Sequence, residues 1–153
     1  REIHAGLLAR DCQEDQDELK QLGIPWIDLV CVDFYPLEEE IKKPIRTAES
    51  VIEMTDIGGP TLLRSAVKGG RIAICDPEDR QRVINWLKQG KPDEEVFITA
   101  LAGKSEVVVG EYCLTSARFY RERIASGFIG QSDHRKGDPV VNTWTPAEIT
   151  TIK

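Results

Sequence analysis

The chain has 153 residues, 41% of them hydrophobic and 30% charged, with a formal net charge of −6 at pH 7. At that length one domain buries roughly 70% of the surface its unfolded chain exposes, so a sizeable core is expected without disulfides or a structural metal, and no run of about 18 apolar residues marks a transmembrane helix. The excess of Asp and Glu argues against a broad nucleic-acid-binding face, which needs concentrated positive charge, while leaving room for a local basic pocket that takes a small anion.

In chain order, residues 14–22 carry acids early and apolar positions late before Gly23 and Pro25 stop them, which predicts a short surface helix. The stretch 26–34 is almost continuously apolar or β-branched and reads as a strand buried on both faces, as in a parallel sheet. Glu38, Glu39 and Glu40, followed by Lys42, Lys43 and Pro44, read as an exposed loop. Thr47 then caps a helix to about residue 54. Asp56-Ile57-Gly58-Gly59-Pro60 is the densest turn signal, and it opens into a helix that starts at Pro60 and stops at Gly69, the expected C′ residue. Residues 71–75 form a second buried strand, and Asp76-Pro77 starts a helix with Val83, Ile84 and Leu87 on one face. Gly90-Lys91-Pro92 closes it. Helical spacing then dominates from 93 to about 126, weakened at Val107-Val108-Val109-Gly110. The tail 127–153, rich in Gly, Pro, Ser and Thr, is expected to be irregular, with 140–144 extended.

Strand, helix, strand, helix is the order of an α/β domain, and a right-handed crossover makes the strands parallel. Residues 1–126 are therefore expected to form one domain, with 127–153 as a tail or linker. Two visible strands fall short of the usual sheet of about five, so further strands are expected from sequence before Arg1 or from a partner chain. The four cysteines show no CxxC pair and no neighbouring His to complete a zinc site, and Cys31 and Cys75 read as reduced core residues. That usage points to a cytoplasmic protein, as does the absence of an apolar stretch behind Arg1-Glu2-Ile3-His4. A start at Arg1 in place of Met reads as truncation or cleavage.

Three places could carry chemistry. In an open parallel sheet, ligands gather at the carboxyl ends of strands and at helix N-termini, where free backbone N–H groups face anions or developing oxyanions. Gly58 and Gly59 allow close approach there, Asp56 can accept a proton at that mouth, and Lys68 brings a positive charge from the helix's other end; the same residues also suit a plain capped loop. Tyr35-Pro36 follows the first strand, so Tyr35 either hydrogen-bonds a ligand or plugs the sheet edge, and Asp33 points the same way and needs a partner. His4 and Arg10 at the opening suit a structural hydrogen bond and an ion pair to Asp11 or Glu14, or else an acid–base and a phosphate-binding role. Arg64 is a phosphate candidate that could equally pair with an acid such as Glu53. His134 in the polar tail is given no role, and Arg118, Arg121, Arg123, Glu111 and Glu122 read as a solvated helix face.

Taken together, HAGLLAR at 4–10, FYP at 34–36 and DIGGPTLLRSAVK at 56–68 resemble, in order and separation, the motifs of the IMP cyclohydrolase domain of bifunctional AICAR transformylase/IMP cyclohydrolase, whose D-P-x-D-Y is also similar to residues 76–80. The resemblance covers about 1–126. It implies a three-layer α/β sandwich around a mainly parallel sheet, similar to methylglyoxal synthase and here lacking its first strands. It implies closure of formamidoimidazole carboxamide ribotide to IMP with loss of water, without metal or redox cofactor. It implies a cytoplasmic homodimer acting on a small purine ribonucleotide, with no nucleic-acid or membrane partner and with a covalent link to a transformylase domain. By the family's motifs Asp56, Lys68 and Tyr35 line the reacting end, with Ile57, Gly58, Gly59, Asp33 and Arg64 as substrate-binding positions. The departures are Asp33 in place of Asn, Gly69 in place of Asn, Thr115 in place of His, and the lack of the segment that precedes the HAG motif and supplies an important lysine. A non-catalytic purine-ribotide-binding or regulatory module of the same fold is the alternative those departures suggest.

Overall fold

The computed structural model describes residues 1–123, and the tail 127–153, with its extended stretch and His134, lies outside the described residues. Backbone contacts group the chain into Arg1–Tyr120 and Arg121–Lys153; of the second unit, only the helical residues 121–123 are described. The first unit is mixed α/β, built on two parallel strands.

α1 (Glu2–Leu8) is a helix where the sequence suggested no element. Its signal is obscured by Gly6, a weak helix former, which is needed because a Cβ there would lie 2.3 Å from the carbonyl oxygen of Pro25. α2 (Gln13–Gln21) matches the expected surface helix. β1 is only Leu29–Cys31, and it pairs in parallel with β2 (Ile72–Ile74) in the register Leu29 to Ile72, Val30 to Ala73 and Cys31 to Ile74. All three residues of β2 are buried, but in β1 only Val30 is, with Leu29 and Cys31 exposed. The expectation of a long strand buried on both faces, with Cys31 in the core, is thus corrected: among the described residues β1 is an edge with one covered face. All four cysteines are free thiols.

The acidic run expected as a loop is α3 (Leu37–Lys42), with Leu37 and Glu40 buried and Glu40 held by Lys43. Consecutive glutamates mimic a solvated loop, yet in the first turn they suit the helix dipole, and Leu37 anchors the helix in a cluster with Val51 and Phe119. The Lys43 ammonium draws the Glu40 carboxyl below the ordinary carboxylate range. α4 (Ala48–Glu53) is capped as expected: Thr47 Oγ1 accepts from Ser50 N at 3.0 Å, and Thr47 N donates to Ser50 Oγ.

α5 (Gly58–Lys68) packs against α1 and both strands through Leu63 and Ala66, which join Leu7, Val30, Ala73 and Val109 in one core cluster. Its C′ residue with left-handed backbone is Gly70 (φ +68°), one position later than expected, because Gly69 is still near-helical at φ −81°. Arg71 then closes the joint, donating to the carbonyls of Leu7 and Ala9 at the end of α1 while its guanidinium lies 3.7 Å over the Trp26 ring. α6 (Pro77–Lys88) is capped by Asp76, whose carboxylate accepts from Glu78 N at 2.9 Å. Its buried face is Asp79, Val83 and Trp86, spaced by four and three residues, whereas Ile84 and Leu87 stand exposed. After left-handed Gly90, Lys91 and Asp93, α7 runs Glu94–Arg123 without a break at Gly110. Leu101 and Val109 hold it against the two main clusters, and Trp86 stacks on Phe97 at 4.5 Å; tertiary packing overrides the local weakness of Val107–Gly110. No helix among the described residues is long and apolar enough to cross a membrane.

Candidate functional site

The head of α5 collects more of the predicted residues than any other place. Asp56 is half-buried, and its Oδ1 accepts from Gly59 N at 2.8 Å, so the carboxylate caps the first turn while Oδ2 stays uncommitted to that bond. Gly59 is buried and admits no side chain: a Cβ would lie 2.5 Å from Asp56 Oδ2, 2.8 Å from Val32 Cγ1 and 2.9 Å from Phe34 Cδ1. The glycine therefore lets the residues that follow β1 pass directly beneath the loop. Gly58 and Ile57 lie outside, Ile57 at 71% exposure, and a Cβ at Gly58 would make only ordinary contact with Asp56. A half-buried carboxylate, two exposed residues at a helix N-terminus and a close approach of strand to loop together suit proton acceptance beside a bound polar ligand.

Sequence reasoning missed the residue that fixes this loop. The Asp56 N–H donates to Tyr112 Oη at 2.6 Å, and the Tyr112 hydroxyl donates to the Met54 carbonyl at 3.1 Å. The Tyr112 ring lies 4.8 Å from that of Phe34. One side chain of α7 thus ties both sides of the Asp56 loop to the strand beneath it, and burial raises its own hydroxyl above the ordinary tyrosine range. The signal was present, since Tyr112 falls one heptad before buried Phe119 on the inward face of α7, where a tyrosine hydroxyl must find a partner.

The remaining predicted residues are dispersed. Tyr35 follows Phe34 on the way out of the sheet and is 57% exposed, so it does not plug the edge. Asp33 has its partner in Arg80 of α6, whose guanidinium the pair holds above its ordinary pKa. Arg64 pairs across to Glu106 of α7 at 3.5 Å, in place of Glu53. Lys68 is exposed at the last turn of α5, ten residues and therefore about 15 Å of helix rise from Gly58. His4 takes the structural role, its Nδ1 lying 2.8 Å from Ser65 Oγ, and Arg10 pairs with Asp15 at 2.7 Å, more closely than with Glu14 at 3.8 Å. A second polar centre sits at the N-terminus of α6. There Lys104 donates to Asp76 and to Asp79 at 2.6 Å each, which lowers the Asp76 carboxyl and raises the Lys104 ammonium from their ordinary values.

No protein-family model matches the chain. Curated relatives do: it is 44% identical over 95 residues to the "Bifunctional purine biosynthesis protein PurH" of Staphylococcus saprophyticus, covering 60% of this chain and 19% of that protein. It is also 36% identical over 137 residues to the PurH of Macrococcus caseolyticus, covering 88% of this chain and 28% of that protein. The chain therefore spans about a fifth to a quarter of the length of the curated relatives it matches. Among solved structures, a crystal structure of ForH superposes with a TM-score of 0.67 at 36% identity, covering 81% of this chain and 64% of that one.

Proposed function

Because the chain is a homologue of the bifunctional purine biosynthesis protein PurH, we propose that it serves purine biosynthesis and that its own step is closure of formamidoimidazole carboxamide ribotide to IMP. The observation that carries this reading is the Asp56–Gly59 loop, where a half-buried carboxylate capping Gly59 N sits at the head of a helix with the C-terminal continuation of β1 beneath it. In ring closure the carboxamide nitrogen attacks the formyl carbon and forms the new C–N bond. The nitrogen loses a proton, the formyl oxygen gains one, and water leaves from the resulting carbinolamine. On this reading Asp56 accepts the nitrogen's proton, and the N–H groups of Ile57 and Gly58, both exposed residues, are suited to the formyl oxygen as charge develops on it. Tyr35 supplies an exposed hydroxyl that follows β1, and Lys68, about 15 Å of helix rise from Gly58, supplies a positive charge for the ribotide. The reaction is redox-neutral and is written without a cofactor. The fold that goes with this reading is the methylglyoxal synthase-like sandwich.

The test follows IMP formation by ultraviolet absorbance with the purified protein and its Asp56→Asn variant. The variant keeps a cap on Gly59 N but cannot take the proton, and its turnover is expected to fall by about a hundredfold or more. Equal turnover in both proteins would remove Asp56 from the chemistry. Ribotide binding without turnover in either would favour a non-catalytic module of the same fold, a reading to which the engagement of Asp33 by Arg80 and of Arg64 by Glu106 gives independent support.

A further inference from the structure

Between α6 and α7 opens a cleft of about 580 Å³, a size within the range of small-molecule sites. It shares no residue with the head of α5. Its wall is aromatic: Trp86 stacks on Phe97 with ring centroids 4.5 Å apart and planes 10° apart, beside Val96, which is 70% exposed. The Arg82 guanidinium lies 5.0 Å over the Phe97 ring. The ring thus takes its face and leaves its edge, where the N–H donors point, to another group. Among the described residues the ion partner of Arg82 is Asp79 at 3.5 Å, and that carboxylate is already bound by Lys104 at 2.6 Å, so Arg82 keeps most of its donors and its charge. Asn85 accepts from Gln81 through Oδ1, which leaves its amide donors over. Gln89 lies about 10 Å of helix rise beyond Arg82, and Asp93 lines the cleft further on, in the turn that leads into α7. No ion pair among the described residues engages Asp93. That turn is strained: Gly90, Lys91 and Asp93 have φ of +81°, +60° and +49°, a conformation that only glycine adopts freely. Trp86 pins it, since its indole Nε1 donates to the Pro92 carbonyl at 2.8 Å and its own carbonyl accepts from the Lys91 N–H at 3.1 Å. Left-handed residues other than glycine persist where their surroundings over-determine them, and here they hold a carboxylate on an aromatic cleft that carries a guanidinium further along α6.

We propose that this cleft binds a small flat zwitterion, with an aromatic body against Phe97 and Val96, a carboxylate on the edge of Arg82 and an amine on Asp93. The charges of the cleft select that class. A planar carboxylate matches the guanidinium edge with two parallel N–H···O bonds, and a positive group answers the carboxylate of Asp93. A dianionic phosphate is disfavoured, because Asp93 lines the same cleft as Arg82. An uncharged aromatic is disfavoured as well, because it strips water from both charges and returns a partner to neither. The Asn85 amide adds a neutral donor between the two ends, on the same face of α6 as Arg82 and Gln89.

The test titrates the isotope-labelled full chain with para-(aminomethyl)benzoate, benzoate and benzylamine and follows the backbone amide resonances. Saturable shifts centred on α6, the turn and the start of α7 are expected, with a dissociation constant for the zwitterion of about 1 mM or below, as for other ligands of this size. The zwitterion is expected to bind at least about fivefold more tightly than either half probe, the size of a favourable exposed ion pair. Two variants then separate the ends. Arg82→Gln keeps the stem beside Phe97 and is expected to weaken benzoate and the zwitterion while sparing benzylamine. Asp93→Asn keeps a residue that tolerates the left-handed turn and is expected to weaken benzylamine and the zwitterion while sparing benzoate. The ranking of the three probes on the unsubstituted chain decides the point even where a variant is lost to folding. Absence of saturable shifts up to about 10 mM, shifts centred elsewhere, or equal affinity for all three probes overturns the site. Variants that weaken all three probes alike overturn the assignment of its two ends.

Discussion

The two ends of α5 both run through a glycine pair, and each is closed to a side chain at one glycine of the pair, but different matter closes them. At the head, Gly59 is hemmed by side-chain atoms of Asp56, Val32 and Phe34 at 2.5–2.9 Å from where a Cβ would be. At the tail, Gly69 faces backbone: the Leu7 carbonyl oxygen would lie 1.9 Å from its Cβ. Side chains can turn aside and a carbonyl inside a helix end cannot. The tail is thus a joint, reinforced by Arg71 on the Leu7 and Ala9 carbonyls and by the His4–Ser65 contact. The head is a held but adjustable loop whose close-packed neighbour is a carboxylate with capacity to spare. One glycine lets two helices join and the other lets a strand's continuation pass beneath the loop, and a motif alone does not say which is which.

The largest effect expected from that contrast is at the tail. Gly69→Ala forces α1 and α5 apart against a fixed carbonyl and is expected to cost about 3 kcal/mol, at the upper end of overpacking penalties, which for a chain of this size lowers the unfolding midpoint by roughly 10 °C. Gly58→Ala is the control, because its Cβ would meet only Asp56 Oδ1 at an ordinary 3.8 Å, and urea denaturation should place it within about 0.5 kcal/mol of the parent. If the two substitutions cost the same, the distinction between joint and loop fails.

Much of this was readable from the residues alone. The helices with strong punctuation, capped by Thr47 and Asp76 or opened by the DIGGP turn, fall where the spacing put them, since caps and turns are local chemistry. What escaped was set by distant parts of the chain. α1 was hidden because Gly6 looks like a helix breaker until Pro25 is seen against it. α3 was hidden because its glutamates look solvated until Leu37 is seen beneath Val51 and Phe119. The length of β1 was overread because a continuous apolar run does not reveal which of its faces a given chain covers. At the site, the DIGGP loop and its carboxylate were legible, but the fates of Asp33 and Arg64 were not. Their ion partners, Arg80 and Glu106, lie 47 and 42 positions away along the chain. Tyr112, 56 positions from the loop it holds, is in the sequence one more position of the helical spacing over 93–126.

Tyr112 offers the next finest cut. Tyr112→Phe keeps the ring against Phe34 and removes both hydrogen bonds at the head, and the net cost is expected to be about 1 kcal/mol. If the head is adjustable, as the side-chain packing around Gly59 implies, the loss concentrates in the loop. Amide exchange at Asp56 and Gly59 should accelerate more than exchange at Gly69 and Gly70. Uniform acceleration at both ends would mean that the head is as much a joint as the tail.

The smallest effect on stability is expected at Lys68, and for that reason it bears most sharply on the site. Lys68 is exposed at the tail end of α5, and no ion pair among the described residues engages its ammonium. Among the described residues it contributes a favourable charge at a helix C-terminus, worth a few tenths of a kcal/mol. Lys68→Ala should therefore leave the unfolding midpoint within about 0.5 kcal/mol of the parent, so any loss of ring closure reports chemistry and not folding. If Lys68 and Asp56 serve one reacting centre, losses of tenfold or more are expected for each, and the double variant should lose little beyond the worse single one, because residues acting as a unit are not additive. Independent, multiplying losses would instead mean that about 15 Å of helix separates two contacts with the ribotide, one at the carbon that closes and the other remote from it.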